Sequence, residues 1–151
     1  MTGNQTIGAN NPEGRKSQSF ARFLPAIARI LLGLIFFVFG LNGFLNFLPQ
    51  PKEAMPEGAM AFVGVMMKTG YLVQLVAGTQ ALAGALLLLN RFVPLALALL
   101  APVIVNIIAF HVFLAPSGIG PGAVVLLLEV YLAWAYRDAY RPMLVARATP
   151  A

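Results

Sequence analysis

The sequence predicts an all-α membrane protein: a bundle of four transmembrane helices, with a short interfacial helix on the outer side between the first and second spans. Three observations carry that expectation. Four apolar stretches are long enough to cross a bilayer, turn residues separate them, and basic residues gather at one end of the threading. With 60% apolar and only 10% charged residues, a chain of 151 residues lacks the polar surface of a water-soluble globule. A crossing takes about 20 apolar residues at roughly 1.5 Å each, against a hydrocarbon layer of about 30 Å.

Residues 1–19 are rich in Gly, Asn, Ser and Gln and read as a disordered cytoplasmic tail. The polar run Asn10–Ser19 and the apolar run after it are both too long for a cleaved signal peptide. The membrane domain is expected over 20–141, followed by a second cytoplasmic tail over 142–151. The first span, about 26–48, begins with Pro25 in its first turn and stops at Pro49 and Pro51. Arg22 and Arg29 at its start are expected to hold their charged heads at the interface.

Between the first two spans, Ala59–Met67 has a broad apolar surface but is too short to cross, so it is expected to lie at the outer face. The second span, about 69–90, carries Ala77, Gly78, Ala81, Gly84 and Ala85, small residues that permit close helix approach. Helix pairing or homo-oligomerisation through the small faces of the first two spans is expected. The uncharged run Phe92–Leu128 is too long for one crossing, and Pro116, Gly118, Gly120, Pro121 and Gly122 divide it. The third span is therefore about 92–114 and the fourth about 122–140. Pro102 lies inside the third and frees a carbonyl that a neighbouring helix must satisfy.

Charge orients this threading. Arg15, Lys16, Arg22, Arg29, Arg91, Arg137, Arg141 and Arg147 fall on one side, and only Lys52 and Lys68 on the other. The positive-inside tendency then places both termini in the cytoplasm. The net charge of +5 forms no dense basic patch with interleaved aromatics, so nucleic acid is not an expected partner. There is no cysteine, which excludes thiol exchange and thiolate metal ligation by this chain. A single histidine gives no expected metal site.

Polar residues at membrane depth carry the functional expectations. Glu129 reads as lying near mid-bilayer, where a carboxylate must be neutralised, paired, hydrogen-bonded or exposed to an internal cavity. Asn106 and Gln80 are expected at a similar depth, with Asn42 and Asn46 on one face of the first span slightly further out. His111 is expected about one turn above Asn106, with Tyr71 and Gln74 beside it at a pocket mouth. An imidazole there can donate to a carbonyl or relay a proton. The candidate ligand-binding set is Asn42, Gln80, Asn106, His111 and Glu129, and the candidate proton-handling pair is Glu129 and His111. Trp134, Tyr131, Tyr136 and Tyr140 read as an interfacial aromatic belt.

The stretch Ala28–Gly43, with Arg29, Leu31, Leu32, Gly33, Phe39, Gly40 and Gly43, resembles the first helix of the DoxX-like family of small four-helix bacterial inner-membrane proteins. The resemblance continues through the Pro-rich outer segment, the small-residue second span and the section from Asn106 to His111, covering about residues 22–140. It implies a bacterial inner-membrane location and contact with a quinone or docking to a redox partner, as in a subunit class of thiosulfate:quinone oxidoreductases. The cysteine-free chain departs from any direct thiol-exchange role.

Together these readings lead to an accessory membrane subunit of a larger redox or respiratory complex, more a binding protein than a catalyst on its own. Its pocket would suit quinone or a bound lipid. The alternatives are a membrane subunit of a quinone-linked oxidoreductase, and a purely structural interface subunit of a photosynthetic, respiratory or transport complex.

Overall fold

The computed structural model describes the backbone of residues 12–49 and 55–144 and the side chains of 23–49 and 55–142. Within them the chain is all-α: α1 Pro12–Leu45, α2 Glu57–Lys68, α3 Leu72–Leu88, α4 Val93–Phe113, α5 Ile119–Ala135 and α6 Arg137–Tyr140, with 3₁₀ turns at Pro116–Gly118 and Arg141–Leu144. Three segments are long and apolar enough to cross a membrane: Phe23–Leu45, Val93–Phe113 and Pro116–Ala135. α3 has 17 residues, about 26 Å, and reaches crossing length only together with α2, to which it is bent by 91°. The architecture is thus that of a small multi-pass helical membrane protein.

The bend has a local cause. The Thr69 hydroxyl donates to Met66 O (2.7 Å) and accepts from the Leu72 N–H (3.1 Å), so one side chain closes α2 and opens α3. Gly70 follows at φ 75°, a left-handed conformation that favours glycine. The expected outer helix is therefore present as α2, while the second span starts at Leu72 rather than residue 69.

Helix α1 departs most from expectation. It begins at Pro12, not near residue 26, so residues 12–19 continue the helix instead of forming a tail; residues 1–11 lie outside the described residues. Pro12 needs no N–H at a helix start. Pro25 consequently lies well inside α1 rather than in its first turn. The far end is closed by Asn46 at φ 48°, the left-handed position that asparagine tolerates after a helix. α5 begins at Ile119 and ends at Ala135, so the fourth span sits about three residues earlier at its start and stops before Arg137.

α1 packs on α3, α3 on α4, α4 on α5, and α5 back on α1, closing a four-helix ring. The α1–α3 seam is the tightest. A Cβ placed on Gly33 would meet Leu87 Cβ at 3.0 Å and Gly84 O at 3.1 Å; one on Gly40 would meet Ala81 Cα at 2.7 Å and Ala77 O at 2.8 Å. Positions rise along α1 as they fall along α3, so the two helices run antiparallel with their backbones nearly touching. This seam uses the small faces from which a homo-oligomer was expected, so those faces are not free for a second copy. Leu32, Phe36, Leu87, Leu97, Ile104 and Leu132 fill the core between the four helices.

The reversal from α3 to α4 takes only four residues, with Asn90 at φ 55° and Phe92 at φ 50°. That turn, the start of the apolar part of α1 and the end of α5 share one end of the bundle. Arg29 bonds to the last turn of α3, and the Tyr140 hydroxyl donates to Pro94 O at 3.0 Å. This is the basic end, carrying Arg29, Arg91, Arg137 and Arg141, while Lys68 lies at the opposite end as the last residue of α2.

Candidate functional site

Among the described residues, a pocket and a groove between the helices divide the polar residues that the sequence grouped together. The pocket, of about 500 Å³, is half-open and lined by α1, α3, α4 and α5 toward the outer end. Ile35, Phe36 and Phe39 of α1, Ile107 of α4 and Val124 and Val125 of α5 supply apolar walls; Gln80 and His111 are its two polar side chains. This apolar chamber with two hydrogen-bonding groups has the composition of a site for a mostly hydrocarbon ligand with a small polar head.

His111 is held in place by its own helix end and by the following turn. Its Nδ1 donates to Ala115 O at 3.1 Å, which leaves Nε2 of the neutral ring as an acceptor. The ring rests directly on Gly118, where an added Cβ would overlap the imidazole. Gly118 has an ordinary negative φ of −90°, so alanine there fits the backbone and meets only the ring. Gly118→Ala is therefore expected to swing His111 away from its present position while changing the melting temperature in detergent by no more than a few degrees. A shift of the His111 ring resonances, with the overall helical spectrum retained, is the measurement that checks it.

Glu129 lines the open groove, of about 400 Å³, on the α4–α5 side toward the basic end. Leu97, Ala98, Ala101, Ala133, Arg137 and Tyr140 complete its lining. The α4–α5 register explains why Glu129 is not beside Asn106. His111 sits on Gly118 and Ile108 on Gly122, so the antiparallel pairing brings Glu129 opposite Ala101, five residues nearer the basic end than Asn106. Glu129 is only 6% exposed, and its Oε2 has no hydrogen-bond partner among the described residues. Burial, and after it the proximity of Glu129, pushes the Tyr140 phenol up from its ordinary range, so its hydroxyl remains the donor to Pro94 O.

The other sequence candidates are placed elsewhere. Asn106 is exposed on the outer surface of α4 and lines neither cavity. The Asn42 carboxamide oxygen accepts the Leu48 N–H at 2.7 Å, so it closes the end of α1 instead of facing a ligand. Tyr71 and Gln74 are exposed and contribute nothing to the cavity walls. Trp134 is exposed beside the Arg137 guanidinium, 4.8 Å from its ring, an arrangement suited to the membrane interface.

Several residues gained importance only in three dimensions. Arg29 is 8% exposed and donates to Leu87 O and Leu88 O, so it is buried against α3 instead of reaching the interface. Arg137 and Tyr140 join Glu129 at its cavity; the spacing of Glu129, Ala133 and Arg137 by four residues was the sequence signal for that shared face. No group of three or more His, Asp or Glu side chains is placed to hold a metal ion among the described residues.

Comparison with protein families, curated proteins and solved structures gives no match. What the helices support is the coarser description, an all-helical protein with several membrane-length apolar segments.

Proposed function

We propose that this protein is an accessory subunit of a larger redox complex in the bacterial inner membrane, with four crossings and both termini cytoplasmic, and that its outer cavity holds a quinone or a lipid of similar shape. The observation that carries the reading is the cavity itself: about 500 Å³ of largely apolar space with Gln80 and His111 as its polar groups. Pockets of about 300–1,000 Å³ suit molecules of that class. The Gln80 carboxamide can donate to a quinone carbonyl, while His111, with its Nδ1–H on Ala115 O, offers Nε2 as an acceptor for a hydroxyl, such as that of the quinol form or of a lipid headgroup. Ile35, Phe36 and Phe39 would flank the ring and the start of an isoprenoid tail. The resemblance of Ala28–Gly43 to the DoxX-like first helix and the concentration of basic residues at one end support the cellular setting.

The decisive experiment is extraction and quantification of quinones and lipids that remain with the protein after purification in mild detergent. Gln80→Leu is expected to lower quinone occupancy, and His111→Leu that of the quinol or a hydroxyl-bearing lipid, each about tenfold, the effect of losing one good hydrogen bond in an apolar site. The helical spectrum should stay unchanged. Quinone, quinol and lipid occupancies equal to those of the unsubstituted protein in both variants would overturn the reading.

A further inference from the structure

We infer that the groove between α4 and α5 is the seat of a partner protein's transmembrane helix that carries a lysine or arginine at the depth of Glu129. Three independent features of one surface lead there. First, Glu129 is nine-tenths buried, lines the groove, and has an Oε2 without a partner among the described residues. The two neighbouring donors are turned away from it: Arg137 donates to Trp134 O at 3.0 Å and stacks over the Trp134 ring, and Tyr140 donates to Pro94 O at 3.0 Å.

Second, the groove contains another acceptor in need of a donor. Pro102 has no N–H, so the carbonyl of Ala98 one turn earlier loses its usual helical partner, and Ala98 lines the same groove as Glu129. Neither Arg137 nor Tyr140 donates to Glu129 Oε2 or to the Ala98 carbonyl. An ammonium offers three donors and a guanidinium five, together with the charge that a buried carboxylate requires. Ionisable groups within the membrane characteristically pair with one another for this reason.

Third, the shape admits a helix. Ala98 and Ala101 on α4 are exposed, and Ala133 lies one turn from Glu129 on α5, so the floor between the two helices is made of methyl groups. Small residues let a neighbouring helix backbone come close, the geometry in which a side chain from that helix reaches Glu129. Glu129 lies six residues before the end of α5, about 9 Å along the helix, which sets the depth of the partner's basic residue.

This inference rests on the accessory-subunit reading but not on the quinone, because the groove and the outer cavity share no lining residue. The test uses a synthetic transmembrane peptide of Leu and Ala with one lysine about 9 Å from the end that aligns with the basic end of the bundle. Its association with the full-length, fluorophore-labelled protein is measured by energy transfer in phosphatidylcholine vesicles. The lysine peptide is expected to bind about tenfold more tightly than an all-Leu/Ala peptide. Glu129→Leu should remove that preference, and Ala101→Phe should weaken both peptides by filling the groove. Equal binding of the two peptides, or a lysine preference that survives Glu129→Leu, would overturn the inference. So would self-association of the protein that Ala101→Phe abolishes, since the groove would then belong to a second copy. Quinone occupancy in Glu129→Leu is measured in parallel; its retention, whatever the peptide result, separates this surface from the ligand cavity.

Discussion

Replacing Gly84 by valine is expected to separate α1 from α3 and leave most of the protein unfolded or aggregated in mild detergent. At this position an added Cβ would lie 2.8 Å from Gly33 O and 2.8 Å from Phe37 Cα, and it would also overlap the Phe37 amide. These obstacles are backbone atoms, which cannot rotate away as a side chain can. Overpacking in a well-filled core costs about 1–3 kcal/mol, and more when backbone must move. The α1–α3 seam is the largest helix contact in the bundle, and attraction between helices in lipid comes mainly from such close packing. Widening it also opens the α1 wall of the outer cavity, so ligand retention should fall with stability. The measurement is thermal unfolding followed by far-UV circular dichroism, with size-exclusion chromatography to detect aggregation. Gly64→Ala is the control, because a Cβ there meets nothing within 4 Å. A Gly84→Val protein that melts within a few degrees of the control would contradict the seam described here.

How far the sequence leads depends on which physical signal sets each feature. Apolar length and Pro/Gly punctuation set the helices, which is why α4 at Val93–Phe113 lies within about one residue of the expected third span. Small residues at helical spacing identified the close-packing face of α3, and Gly33, Gly40 and Gly43 marked its counterpart on α1. What those residues pack against is a matter of register and azimuth, and the same pattern equally suited a contact between two copies. The polar site shows the same limit more sharply. Depth counted from helix ends put Glu129 level with Asn106, but the 3₁₀ turn at Pro116–Gly118 runs straight into α5 and shifts the pairing so that Glu129 opposes Ala101. Hydropathy cannot reveal azimuth for α4, which is apolar all round, so the exposed position of Asn106 had no sequence signature. Gln80 and His111 do share a cavity, because each projects inward from the side of its helix that the core residues Ala83, Leu87, Leu100 and Ile104 also define.

Arg29→Met is expected to destabilise the protein by about 1.5–3 kcal/mol, the range for losing a charged hydrogen bond from a buried acceptor. The argument turns on where the guanidinium ends. A snorkelling arginine would leave its head in water, and methionine, which keeps the apolar stem, would cost little. Instead Arg29 is 8% exposed and reaches the final carbonyls of α3, donating to Leu87 O and to Leu88 O at 3.4 Å. The turn after α3 satisfies some of this helix end on its own: Asn90 N–H bonds to Leu87 O at 3.1 Å and Arg91 N–H to Leu86 O at 2.9 Å. Leu88 O relies on Arg29, and the negative end of the α3 dipole is the electrostatic partner of the guanidinium, since no carboxylate pairs with it among the described residues. Lysine retains the charge but replaces the planar fork with a single ammonium, so Arg29→Lys should recover only part of the loss. Equilibrium unfolding in mixed detergent micelles reads the order directly: unsubstituted protein most stable, lysine intermediate, methionine least. Three indistinguishable midpoints would return Arg29 to the interface, and with it the simple positive-inside account of this residue; the expected order makes it a bolt between α1 and α3, at the basic end of the same seam that Gly33, Gly40 and Gly84 hold closed.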